Sequence, residues 1–166
     1  MPINPIGPVP PSYGKGTNET PDQLWQEILR DKSLIITDIA NGAYVSIDQV
    51  QCLATHLSEL MNSPSATADQ KQKAQNALIR IFGTDDLNST TPFNNDQTNM
   101  PLITSLLPGP GSQIAITQAS SLSWFMTAGS DDRQQAFSVC TRSWTQQNFD
   151  DTSIGWKNTL DQLGIK

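Results

Sequence analysis

The segment SIDQVQCLATHLSELMNSPSATADQKQKAQNALIRIFG, residues 46–83, decides the fold class. Val50, Leu53, Leu57, Leu60 and Met61 recur at the three- and four-residue intervals of one helix face, which predicts a helix from Ser46 to about Asn62. Ser63-Pro64 ends it, because proline drives the residue before it out of the helical region. A second run, Thr67 to Phe82, carries Ala74, Leu78, Ile81 and Phe82, and Gly83 stands where a left-handed cap belongs. Two such helices joined by a short polar turn predict an antiparallel pair.

Upstream, Thr20-Pro21-Asp22-Gln23 is a helix start: Thr20 as N-cap, Pro21 at the first helical position, Asp22 near the positive end of the dipole. Leu24, Trp25, Ile28 and Leu29 then share a face. Leu34, Ile35, Ile36 and Ile39 continue the helix to about Asn41, where Gly42 stops it. Asn41-Gly42 is also a hairpin signal, so a small hairpin near 34–46 is the alternative, although Thr37 and Asp38 break the alternation a strand requires. Before this helix, Pro2, Pro5, Pro8, Pro10 and Pro11 with Gly7, Gly14 and Gly16 predict a disordered arm over residues 1–19, leaving 20–166 as a single helical domain.

Downstream, residues 84–100 read as a long polar loop. From Gln97 to Ser130 there is no charged residue, and Pro108-Gly109-Pro110-Gly111 divides this stretch into a short apolar turn, Leu102 to Leu107, and a helix from Gln113 to Ala128 bearing Ile114, Leu122, Trp124, Phe125 and Met126. A further helix, capped by Ser130-Asp131-Asp132, runs to about Asn148 with Ala136, Phe137, Cys140 and Trp144 on one side. A last one follows Asp151, carrying Ile154, Trp156, Leu160 and Leu163 up to Gly164, and Gly155 weakens it. The expectation is a mainly α protein, a small bundle of about five to six helices.

The residues that could carry chemistry are few. His56 is the single histidine, so any Ser-His-Asp or Cys-His mechanism must pass through it. At about 100° per residue, Asp48, Cys52, His56 and Glu59 fall in one sector opposite Leu53, Leu57 and Leu60, which predicts a solvated polar stripe. Cys52 and His56 are spaced to share a metal, but a convex helix face offers neither further ligands nor an oxyanion donor. Asp86-Leu87-Asn88-Ser89-Thr90 imitates a calcium loop yet has Thr91 and Gln97 where glycine and glutamate belong. No glycine run has phosphate-loop spacing. The expectation is no catalytic residue, no metal and no cofactor.

Function is therefore sought on surfaces. Ten Lys and Arg against sixteen Asp and Glu give a net charge of −6, which disfavours nucleic acid. The charge-free stretch is too short and too diluted by Ser, Thr and Gln for a membrane span, leaving shallow membrane contact as the most a bilayer is offered. Trp124, Phe125, Met126 and Trp156 are the candidate partner-binding anchors. Cys140 lies on an apolar face and Cys52 on the polar stripe, so an intramolecular disulfide is not expected and Cys52 is the candidate for a crosslink between chains. Met1 to Thr20 has no basic and apolar leader pattern.

With its Pro-rich, weakly charged arm and neutral polar surface, the chain resembles type III secretion substrates in layout alone. That likeness implies a non-enzymatic bacterial factor, secreted without a conventional leader or displayed at the surface, virulence-associated, that binds a protein partner or self-associates into an oligomer. The alternatives are an intracellular adaptor or regulatory domain, and an enzyme whose site is assembled only by folding.

Overall fold

The computed structural model describes residues 19–43, 47–91, 100–106, 122–127, 138 and 140–166. The protein is mainly helical, a small bundle with no strand among the described residues. Its principal elements are α1 (Pro21–Ala40), α2 (Ile47–Met61), α3 (Ala68–Phe82), a 3-10 turn (Leu102–Leu106), α4 (Leu122–Thr127) and α5 (Gln146–Gln162). The expected arm over 1–19, except for Glu19, lies outside the described residues, as do most of the 113–128 helix, residues 130–137 and 139 of the 130–148 helix, and residues 92–99 of the polar loop.

One local device starts three of these helices. Thr20 Oγ1 accepts from the Gln23 amide at 3.1 Å while Gln23 Oε1 accepts from the Thr20 amide at 2.9 Å. Thr67 with Gln70, and Thr145 with Asn148, repeat the reciprocal pattern. Each box satisfies two backbone donors that a helix start leaves without partners. Gly83 ends α3 with φ 83°, and a Cβ there would meet Pro101 Cγ at 3.0 Å. Glycine is thus required both by the left-handed backbone and by the close approach of the next segment.

α2 is the central helix. Val50, Gln51, Leu53, Ala54, Thr55, Leu57 and Leu60 are all buried, so its covered surface reaches most of the way around its axis. α1 and α3 both pack on it, and α5 packs on α1. Gln146 Nε2 donates to Ala40 O, and Lys32 Nζ donates to Ile165 O, so α5 runs antiparallel to α1. Phe125 of α4 lies 6.1 Å from Phe82 of α3, ring to ring, and the buried Gln51 amide donates to the carbonyls of Phe125 and Met126 at 3.3 and 2.6 Å. A side chain of α2 thereby satisfies the carbonyls at the end of α4.

The helix expected to end near Asn41 is borne out, which removes the hairpin alternative, and one boundary is corrected. Residues 34–40 belong to α1, so no hairpin forms there; the helix stops at the Asn41-Gly42 turn, with φ 69° at Gly42. The last helix also begins five residues earlier than the Asp151 boundary, because Thr145 and Asn148 form a capping box and Trp144 lies outside regular helix. Trp144 packs instead edge-on against Phe149, centroids 5.2 Å apart. Asp150 and Asp151 are interior residues of α5 that accept hydrogen bonds from Gln146 and Gln147 one turn before them.

Candidate functional site

The apolar stripe of α1 runs through Leu24, Ile28, Ile35 and Ile39, and the fifth buried position on it is Asp31. A carboxylate there has lost its water and needs donors from the protein. α2 supplies them. His56 Nδ1 lies 2.7 Å from Asp31 Oδ2, and Gln49 Nε2 donates to Asp31 Oδ1 at 2.5 Å. Asp31 is 0% exposed and His56 15%. His56 Nε2 faces Glu27 Oε1, one turn earlier on α1, at 3.7 Å, so the imidazole is flanked by carboxylates on both ring nitrogens.

This corrects the expected solvated stripe. The helical wheel places Asp48, Cys52, His56 and Glu59 together, but α1 covers part of that sector with a polar edge of its own. Burial alone would lower the pKa of His56. The hydrogen bond and charge of Asp31, then the charges of Glu27 and Glu59, outweigh it and raise the pKa above its ordinary 6.5. Glu27 is pushed up to about 7, first by burial and then by its hydrogen bond with Glu19, against the pull of His56 and Arg30. Burial also raises Glu59. Glu27 Oε2 and Glu59 Oε2 are buried and, among the described residues, meet no donor.

Cys52 faces the same seam, half-buried, and its thiol is pushed up to about 12 by burial and then by Asp31 and Asp48. It is therefore neither the outward-facing residue expected nor a thiolate at neutral pH. Cys140 is half-buried too, with Sγ 3.7 Å from Ser105 O. Among the described residues no three His, Cys, Asp or Glu side chains converge as a metal ion requires.

Three of the four expected anchors are corrected as well. Trp156 is 0% exposed, and its Nε1 donates to Ser105 Oγ of the 3-10 turn at 2.9 Å. Phe125 and Met126 belong to the same core. Gly155 leaves Trp156 no less buried, because the neighbouring position on a helix faces a different direction. Trp124 is only partly covered, packing against the core from its edge. No described helix is long and apolar enough to cross a membrane.

Asp31 is the residue that polarity patterns pass over. Its signal is positional: a charged side chain about three turns into an apolar stripe, which demands a partner on the facing helix. Compared with known proteins, the chain matches no protein-family model, no curated protein and no solved structure.

Proposed function

We propose that this chain is a non-enzymatic helical protein that works by binding a protein partner or by associating with itself. The observation that carries this reading is the setting of its one histidine. His56 is held between Asp31 and Glu27 with its pKa raised, which favours the imidazolium over the neutral ring, and an imidazolium has no lone pair with which to take a proton from a nucleophile. The nearby thiol of Cys52 stays protonated. The chemistry-bearing groups of the α1–α2 seam thus serve to fasten two helices.

The sparse charge and polar composition fit a protein that meets others through neutral surface. Of the expected anchors, Trp124 is the one with part of its side chain at the surface. Export through a signal in residues 1–20 is the extension of this reading that the composition supports. Equal secretion of the full chain and a chain lacking those residues would remove it.

Light scattering over a wide concentration range, with affinity capture from the native host, tests the main reading. A mass that grows with concentration, or a saturable partner whose binding weakens in Trp124→Ala, is expected. A strict monomer that turns over ester, amide or phosphoester substrates, and loses that turnover in His56→Asn, would overturn it.

A further inference from the structure

The end of the α1–α2 seam gathers more negative charge than its cations neutralise. Glu19 stands just before α1; Glu27, Arg30 and Asp31 come from α1; Asp48, Cys52, His56 and Glu59 come from α2. Arg30 lies 3.5 Å from Glu27. On the other flank of α1, α5 presents Asp161, which is already occupied by Lys32 at 2.6 Å and Lys157 at 2.8 Å.

Two features of the cluster favour a proton. Glu19 lies close enough to Glu27 for a side-chain hydrogen bond, and two carboxyl groups can share one only when one of them carries a hydrogen. The buried Glu27 Oε2 and Glu59 Oε2 lack a donor among the described residues, a costly condition for an ionised oxygen.

We infer that the cluster of Glu19, Glu27, His56 and Glu59 is a proton-operated latch: one proton shared among its carboxyl groups fastens the Glu19–Thr20 lead-in and the first turns of α1 onto α2, and loss of that proton releases them. At acidic pH the Glu19–Glu27 bond is made and the imidazolium is balanced by Asp31. At alkaline pH three clustered carboxylates repel one another, and the hydrogen bond between Glu19 and Glu27 is gone.

Linkage gives the sign. Glu27, at about 7 in the folded protein against 4.5 as its ordinary value, contributes stability that is complete below 4.5 and lost as pH rises through 7. His56 and Glu59 are raised too and act in the same direction. The latch therefore holds in mild acid and opens from neutral pH upward.

The test is thermal unfolding of the full chain from about pH 5.5 to about pH 8.5, together with amide exchange at Gln23 and Leu24, whose N–H groups are bonded to Thr20. The wild type should lose Tm by about 3 °C or more across this range, and protection at these two amides, corrected for intrinsic exchange, should fall about tenfold. Glu27→Gln keeps a permanent donor toward Glu19 and should flatten both curves; Glu19→Gln supplies the donor from the other side and should do the same. Parallel pH curves for all three proteins would overturn the latch. Should Glu27→Gln not fold, a carbon-13 titration of Glu27 in the wild type decides: a midpoint near neutrality supports the latch, and one near 4.5 overturns it.

Discussion

Asp31 of α1 and His56 of α2 meet at 2.7 Å across the seam of the bundle, the carboxylate wholly enclosed and the imidazole nearly so. Burying the pair costs hydration, and its partners must recover that cost. Asp31→Ala removes the acceptor of two α2 donors, Gln49 and His56, and should destabilise the protein by about 2–4 kcal/mol. Asp31→Asn, which keeps an acceptor but not the charge, should cost less and lower the pKa of His56. Urea unfolding with a double-mutant cycle against His56→Gln checks both, and additive losses would show that the pair is not coupled.

Trp156 is a structural side chain. Trp156→Ala should cost about 3–5 kcal/mol through the cavity it leaves, whereas Ser105→Ala should cost only about 1 kcal/mol, the worth of its hydrogen bond to the indole. Wild-type tryptophan emission should shift to longer wavelength on unfolding. A Trp156→Ala protein as stable as the wild type would return Trp156 to the list of surface anchors.

Cys52 should resist modification. A thiol pushed from 9.0 to about 12 carries about a thousandfold less thiolate at a given pH. An aromatic disulfide reagent should therefore label Cys52 slowly in the native protein and quickly in urea, and oxidised samples should migrate as monomer on non-reducing gels. Rapid formation of a Cys52–Cys52 dimer would contradict this placement.

Two glycines should respond in opposite directions. A Cβ added at Gly155, inside α5, meets nothing within 4 Å, so Gly155→Ala should stabilise by about 0.5–1 kcal/mol through helix propensity. Gly83→Ala should destabilise, since φ is 83° and Pro101 Cγ lies 3.0 Å from the new methyl. Thermal unfolding of the two variants should show shifts of opposite sign.

Helices α1, α2 and α3 are legible in the sequence because signals of several kinds agree there. Thr20-Pro21 and Thr67 mark starts, Gly42 and Gly83 mark ends, and apolar period fills the space between. The start of α5 is hidden because Asp150-Asp151 imitates a cap, while the operative box, Thr145 with Asn148, uses the shorter asparagine where glutamate or glutamine is the usual partner. The polar seam is hidden for a different reason. A wheel drawn for one helix reads His56 as exposed, since it cannot show that the facing helix carries Asp31 on its buried stripe. Trp156 misleads in the same way: its polar neighbours report helix period, and its burial depends on the 3-10 turn that closes over it from fifty-one residues away in sequence.

The most direct measurement is the NMR titration of His56 in the native chain, with nitrogen-15 shifts to read both ring positions. The placement of His56 between Asp31 and Glu27 predicts an apparent pKa raised above the ordinary 6.5, with both nitrogens protonated below it, and a fall of that pKa in Asp31→Asn. An apparent pKa at or below 6.5, or a titration unmoved by the loss of the Asp31 charge, would contradict it and restore His56 as a candidate general base.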